Sequence, residues 1–235
     1  MNRDVIIACD FPDRETTLAF LENFKEERPF VKLGMEIFYG EGPAIVREIK
    51  KRGHKIFLDL KLHDIPNTVY KAMKNLAGLD VDMVNIHAAG GSEMMKAARR
   101  ALDESGSKAV LLAVTQLTSI TPEALKEELW IDHPMAETVA HYAQNAKEAG
   151  CDGVVCSPLE VEVVREACGP EFVTVTPGVR FADSDKGDQK RVTTPAKAHQ
   201  LGSHYVVIGR PITQAADPVA AYRRAVKEFT EGVEE

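Results

Sequence analysis

The residues best suited to chemistry in this sequence stand close together, in Asp59-Leu60-Lys61-Leu62-His63-Asp64. Side chains of a pleated strand alternate with a period of two, so Asp59 and Lys61 are expected on one face of an otherwise apolar strand. Opposite charges brought into a low-dielectric setting are costly unless paired. Lys32, within the apolar run at residues 30–34, adds a second cation from a neighbouring strand and invites an alternating network of carboxylates and ammoniums. Lysines held between aspartates stay protonated and fixed, so they can attract or repel substrate charge and deliver a proton to a developing carbanion. The same residues also read as a structural ion pair at a strand end. Asp64, with Pro66 just downstream, reads equally as a helix N-cap.

A second group suits an anion. Gly209-Arg210 ends one apolar run and Thr176-Pro177-Gly178-Val179-Arg180 ends another, followed by a long polar stretch to residue 194. Glycine lets a backbone approach an anion, and arginine forks onto phosphate oxygens. Together these residues outline a phosphate pocket with a mobile cover at about 178–194. His54, His63, His87 and His141 lack metal-ligand spacing, so no metal site is expected. His87 is either core packing or a support that orients Asp59 or Lys61. Neither a Walker A sequence nor a GxSxG elbow is present.

These residues must be carried by regular elements. Apolar, β-branched runs recur at 5–9, 30–34, 55–59, 83–87, 109–113, 153–156, 172–176 and 205–209. Helical periodicity fills the intervals, at 16–24, 43–51, 68–76, 92–102, 135–149, 158–167, 195–201 and 218–229. Alternation of this kind, with most strand starts about 25 to 30 residues apart, implies βαβ units and a parallel sheet. Eight units in 235 residues match a single-domain (β/α)8 TIM barrel spanning residues 1–235. A doubly wound sheet would carry a glycine fingerprint after its first strand, and this chain has Asp10-Phe11-Pro12-Asp13 there. In the barrel, Asp10, Asp59, Lys61, His87, Thr115, Thr118, Thr176 and Arg210 fall at or just past C-terminal strand ends, the rim where such folds carry active sites. The longer fifth interval holds an extra polar segment, 119–132.

Lys and Arg total 29 against 36 Asp and Glu, a net charge of −7 with no basic run. A nucleic-acid or anionic-membrane surface is therefore not expected, and any anionic substrate needs a local set of cations such as Lys32, Lys61, Arg180 and Arg210. Cys9, Cys151, Cys156 and Cys168 sit in or beside apolar runs without CxxC spacing. They suit reduced core thiols, and with no signal-like or membrane-spanning stretch the expected location is the cytoplasm.

Several motifs in order then carry a resemblance over nearly the whole chain. They are Ala8-Cys9-Asp10, Phe30-Val31-Lys32-Leu33-Gly34-Met35-Glu36, the stretch from Phe57 to Pro66, Val84-Asn85-Ile86-His87, Leu117-Thr118-Ser119, the stretch from Thr174 to Arg180, and Val207-Ile208-Gly209-Arg210-Pro211-Ile212-Thr213. The chain resembles bacterial orotidine 5′-phosphate decarboxylases. That resemblance implies removal of CO2 from orotidine 5′-phosphate, in pyrimidine synthesis, with neither cofactor nor metal. It implies Lys61 as the acid that protonates C6, Asp59 beside the departing carboxylate, and Lys32 bridging the carboxylates and a ribose hydroxyl. Asp10 would bind the ribose, as would Asp64, which with Thr68 would come from the partner subunit of a homodimer. Thr118 would lie near the pyrimidine, Pro177 among the substrate-binding residues, Arg180 and Gln189 on the closing loop, and Gly209 with Arg210 on the phosphate. Two other readings remain. Mg2+-dependent sugar-phosphate aldolases and decarboxylases share the Asp-x-Lys-x-x-Asp run, but carry a metal-binding carboxylate where this chain has Lys32. A silent nucleotide-binding barrel would be expected to lose members of the set Lys32, Asp59, Lys61 and Asp64, all of which are present.

Overall fold

Every apolar run becomes a parallel strand, and in the computed structural model, which describes residues 3–183 and 193–234, the eight strands close in sequence order, β8 pairing with β1. They are β1 (Asp4–Ala8), β2 (Phe30–Leu33), β3 (Ile56–Leu62), β4 (Met83–His87), β5 (Val110–Val114), β6 (Gly153–Val155), β7 (Val173–Thr176) and β8 (Tyr205–Ile208). The (β/α)8 barrel expected from the periodicity is the architecture found. Strands covered on both faces read as continuous apolar runs because each face is buried. One face packs inside the barrel through Ile6, Phe30, Phe57, Met83, Leu112, Val175 and Val207. The other, including Val5, Ile7, Val31, Leu33, Leu58, Val84 and Ile86, meets the surrounding helices in the larger core. Gly153 marks the tightest point: a Cβ there would lie 2.2 Å from the Val173 carbonyl oxygen, so only glycine lets β6 and β7 pack this way.

The helices are α1 (Arg14–Leu21), α2 (Met35–Glu41), α3 (Pro43–Lys51), α4 (Pro66–Ala77), α5 (Ser92–Glu104), α6 (Pro122–Glu127), α7 (Met135–Glu148), α8 (Val161–Cys168), α9 (Pro195–Leu201), α10 (Arg210–Thr213) and α11 (Pro218–Glu231). Their starts are written in side chains. Asp13, Thr121, Thr194 and Asp217 accept from the backbone N–H of Thr16, Ala124, Lys197 and Ala220, each such cap contributing about 1 kcal/mol. Proline opens α3, α4, α6, α9, α10 and α11, where its missing N–H has no helical partner to lose. Three helices went unanticipated: α2, α10, and α6 inside the polar segment 119–132. Each buries one side chain, Ile37, Ile212 and Leu125 respectively, which is too little to print a period on the sequence.

None of the four cysteines forms a disulfide, and all are buried; burial pushes the Cys9 and Cys151 thiols up to about 12. No helix among the described residues is long and apolar enough to cross a membrane.

Candidate active site

The C-terminal ends of β1, β2 and β3 bring the expected charged residues together. Lys32 Nζ donates to Asp10 Oδ1 at 2.8 Å and lies 3.3 Å from Asp59 Oδ2, while Lys61 Nζ donates to Asp59 Oδ1 at 2.7 Å. The result is an unbroken series, Asp10, Lys32, Asp59, Lys61, in which charge alternates. Lys32 and Asp59 are buried, Lys61 is partly exposed and Asp10 opens to solvent. Burial pulls the Lys32 ammonium down, but the Asp59 and Asp10 carboxylates outweigh it and leave the ammonium above its ordinary value. Burial pushes Asp59 up, but Lys32, Lys61 and a hydrogen bond from Asn85 outweigh it and hold the carboxyl below its usual range. Lys32 and Asp59 are therefore both charged at neutral pH.

The energetics of such an array do not favour a purely structural role. At an effective dielectric of about 20, the Lys32–Asp59 attraction is on the order of 5 kcal/mol. Removing each ion from water costs several kcal/mol. The two nearly cancel, so the array adds little stability while fixing two ammoniums at the barrel mouth. Gly34 keeps room for it, since a Cβ there would come within 3.0 Å of Asp10 Oδ1 and 3.3 Å of Lys32 Nζ.

The pairing of Asp59 with Lys61 does not arise from a regular pleat. The β3–β4 register shifts between Leu58, opposite Val84, and Leu62, opposite Ile86. Within this bulge Lys61 has a φ of 51°, a left-handed conformation that costs a non-glycine residue roughly 1–2 kcal/mol. The Lys61 backbone N–H donates to Asn85 Oδ1 at 2.8 Å, and Asn85 Nδ2 donates to Asp59 Oδ1 at 2.7 Å. Asn85 was named in the sequence only as part of a motif. The available signal was a polar residue at the centre of an apolar strand, in step with Met83 and His87.

Two adjoining compartments lie above the array. The first, of about 290 Å³, has Lys32, Asp59 and Lys61 on one side, an apolar floor of Phe57, Val114, Val155 and Val207, and Gln116, Thr118, Ser119 and Pro177 around it. The second, of about 640 Å³, is lined by Asp10, Lys32, Pro177, Arg180, Gly209, Arg210, Thr213 and Gln214. Lys32, Pro177 and Val207 border both, so a ligand with an apolar ring and an anionic tail can span them. Ser119 and Thr213 are named in the sequence only as members of motifs, and Gln116 and Gln214 not at all, because a polar loop residue carries no mark of facing inward.

Other expected residues sit elsewhere. Asp64 and Thr68 are exposed and are not among the residues that line either compartment of their own chain. Asp64 is not the N-cap of α4: that position is Ile65, without a side-chain cap, and the Asp64 carboxylate accepts only from the adjacent Ile65 N–H among its described hydrogen bonds. His87 packs against His63 with the rings tilted by 37° and their centres 5.4 Å apart; burial, with His63 and Lys61, lowers its pKa against the pull of Asp59, so it stands beside the array as a neutral ring. Thr115 and Thr176 tie strands together, donating to the carbonyls of Val155 and Tyr205. Gln189 and most of the expected covering loop lie outside the described residues. Among the described residues, no group of His, Cys, Asp and Glu has the arrangement of a metal site.

Comparison with known proteins adds an independent line. A model described as the orotidine 5′-phosphate decarboxylase / HUMPS family matches residues 3–225. Orotidine 5′-phosphate decarboxylases of Bacillus cytotoxicus and Bacillus cereus are each 56% identical to this chain, with 99% of both chains covered. Among solved structures, an orotidine 5′-phosphate decarboxylase from Lactobacillus acidophilus aligns with a TM-score of 0.86 at 44% identity, over 97% of this chain and 99% of the other. An uncharacterized conserved protein from Geobacillus kaustophilus aligns with the same score at 50% identity, over 96% and 99%.

Proposed function

The chain belongs to the orotidine 5′-phosphate decarboxylase / HUMPS family, and we propose that it converts orotidine 5′-phosphate to uridine 5′-phosphate and CO2. The observation that carries this reading is the charge-alternating series Asp10, Lys32, Asp59, Lys61, set against an apolar slot that continues into an arginine-lined compartment.

The pyrimidine fits the slot over Phe57 and Val207, with Thr118 beside it, and the ribose lies along Asp10 and Lys32. The phosphate falls to Gly209, Arg210 and Arg180, with Gln189 assigned to the cover over it. The C6 carboxylate then meets Asp59, a fixed like charge, beside the Lys61 ammonium. When the C6–carboxyl bond breaks, CO2 leaves and the electron pair stays on C6. A proton passes from Lys61 Nζ to C6, and the neutral amine regains a proton from solvent. An ammonium already in place stabilises the developing carbanion without reorganisation, which is where preorganised charge contributes most. Two ammoniums hold the positive charge that a metal ion would otherwise supply, so the reaction is assigned neither metal nor cofactor.

A homodimer completes the reading. Most large apolar side chains left exposed among the described residues, including Tyr39, Ile65, Leu129 and Trp130, follow β2, β3 and β5 on the catalytic rim, and an apolar surface of this kind suits burial by a second copy. Asp64 and Thr68 are on that same rim and are assigned to the partner's site. Buried cysteines without disulfides suit the reducing cytoplasm.

The test is direct: purified protein should deplete orotidine 5′-phosphate absorbance and release uridine 5′-phosphate. The rate should survive exhaustive chelation. Loss of activity in EDTA that Mg2+ restores would favour the metal-dependent relatives, and absence of any turnover would favour a silent nucleotide-binding barrel.

A further inference from the structure

Within the bulge, β3 places three residues, Asp59, Leu60 and Lys61, where β4 has one. That one is Asn85, whose side chain is buried. Its carboxamide does two things at once. Nδ2 donates to the Asp59 oxygen that also receives Lys61 Nζ, and Oδ1 accepts the Lys61 backbone N–H. The first bond fixes the rotation of the Asp59 carboxylate, leaving Oδ2 to Lys32. The second gives an acceptor to the Lys61 backbone amide where the β3–β4 register shifts, at the residue with left-handed φ. The one carboxamide therefore binds both members of the pair.

We propose that Asn85 is a positioning residue for the reaction, a clamp that joins the Asp59 carboxylate and the Lys61 backbone into one unit and so sets where the Lys61 ammonium stands over the reacting carbon. The inference rests on the function proposed above. It also explains why an amide, rather than a carboxylate or an apolar group, is buried here: one donor and one acceptor are needed on the same planar group. A misplacement of about 1 Å in such a constellation is enough to lower turnover by about 100-fold.

The groups that titrate around this position are Asp59 and Lys61 from β3, Lys32 reaching Asp59 from β2, and His87 with His63 above it; β5 presents Leu112 opposite. Asn85→Leu removes both bonds and should lower kcat about 100-fold, with KM and the Kd of uridine 5′-phosphate within about threefold. Asn85→Asp keeps the shape. At pH 8 its carboxylate repels Asp59, and kcat should fall at least as far. A proton shared by the two carboxyls on acidification restores a donor facing Asp59, so kcat of this variant should climb towards wild type as the pH is lowered to about 5.5. Packing loss alone gives no such proton-dependent recovery. Wild-type kcat in both variants, a loss carried by KM, or a loss equal at every pH overturns the proposal. Should the variants not fold, amide exchange in the wild-type protein decides: the Lys61 N–H and the Asn85 side-chain amide must exchange slowly, and exchange at unstructured rates overturns the clamp. Wild-type turnover measured alongside separates this result from a failure of the functional reading itself, which would leave the exchange measurement to judge the clamp.

Discussion

Lys61 Nζ lies 2.7 Å from Asp59 Oδ1 across a β-bulge in which Lys61 itself is left-handed. The intervening Leu60 is buried in the strand–helix core, so the two charged side chains are held by a short, anchored loop of backbone rather than by the reach of a long side chain. A lysine so tethered keeps its ammonium in one place while charge develops on a bound substrate.

Removing that ammonium should abolish chemistry with little effect on binding. Lys61→Ala is expected to lower kcat by about 10⁴-fold, the upper range for a general acid, while uridine 5′-phosphate still binds within about tenfold of wild type, because the group acts chiefly in the transition state. Stopped-flow decarboxylation and calorimetric titration give the two numbers. Near-normal turnover would remove Lys61 from the role of acid.

The barrel was legible because strands buried on both faces cannot avoid being apolar, and the pairing of Asp59 with Lys61 was legible from its company. The reason for that pairing was not. A period of two assumes an unbroken ladder, whereas β3 reaches the same result through a bulge supported by Asn85, and no local pattern in β3 announces a partner on β4. Asp64 shows the reverse case: a proline two residues on suggests a cap, yet Ile65 takes that position, leaving Asp64 exposed on the rim.

Stability should report the coupling of Lys32 to Asp59 through pH. A carboxyl held below its unfolded value contributes stability above about pH 4 that is lost as pH falls through its folded pKa. An ammonium held above its unfolded value contributes below about pH 10.5 and loses that contribution as pH rises through its folded pKa. For Asp59 and Lys32, which shift in these directions, the contribution is level between about pH 5 and 9. Lys32→Met removes the leading influence that lowers Asp59 and leaves its burial, so the carboxyl is expected to rise. Between about pH 4 and that raised value the folded variant binds more protons than the unfolded chain, and its stability increases as pH falls. A deficit of about 3 kcal/mol at pH 7 should therefore narrow by pH 5. Thermal melts of both proteins at the two pH values test this; a constant deficit would contradict it.

The arginine-lined compartment should contribute to catalysis through a group remote from the reacting carbon. Arg210→Ala is expected to lower kcat/KM about 100-fold, because phosphate binding energy is used to organise the site. Arg210 is exposed, so the melting temperature should stay close to wild type. Orotidine without its phosphate should be a correspondingly poor substrate of the unaltered protein. Equal reactivity of orotidine and its monophosphate would separate this compartment from the reaction.

Asp64 offers the sharpest test of assembly. If it reaches the neighbouring site, each site of a twofold dimer combines Lys61 of one chain with Asp64 of the other. Lys61→Ala and Asp64→Asn chains are then each inactive alone, and a hybrid of the two has one site with both lesions and one with neither. Random exchange of equal amounts makes half of the dimers hybrid, so about a quarter of all sites should regain wild-type chemistry. If Asp64 instead serves its own chain, every site of the hybrid keeps one lesion and mixing restores nothing. Native mass spectrometry establishes that exchange has occurred, and the recovered fraction of decarboxylase activity then distinguishes a shared site from a self-contained one.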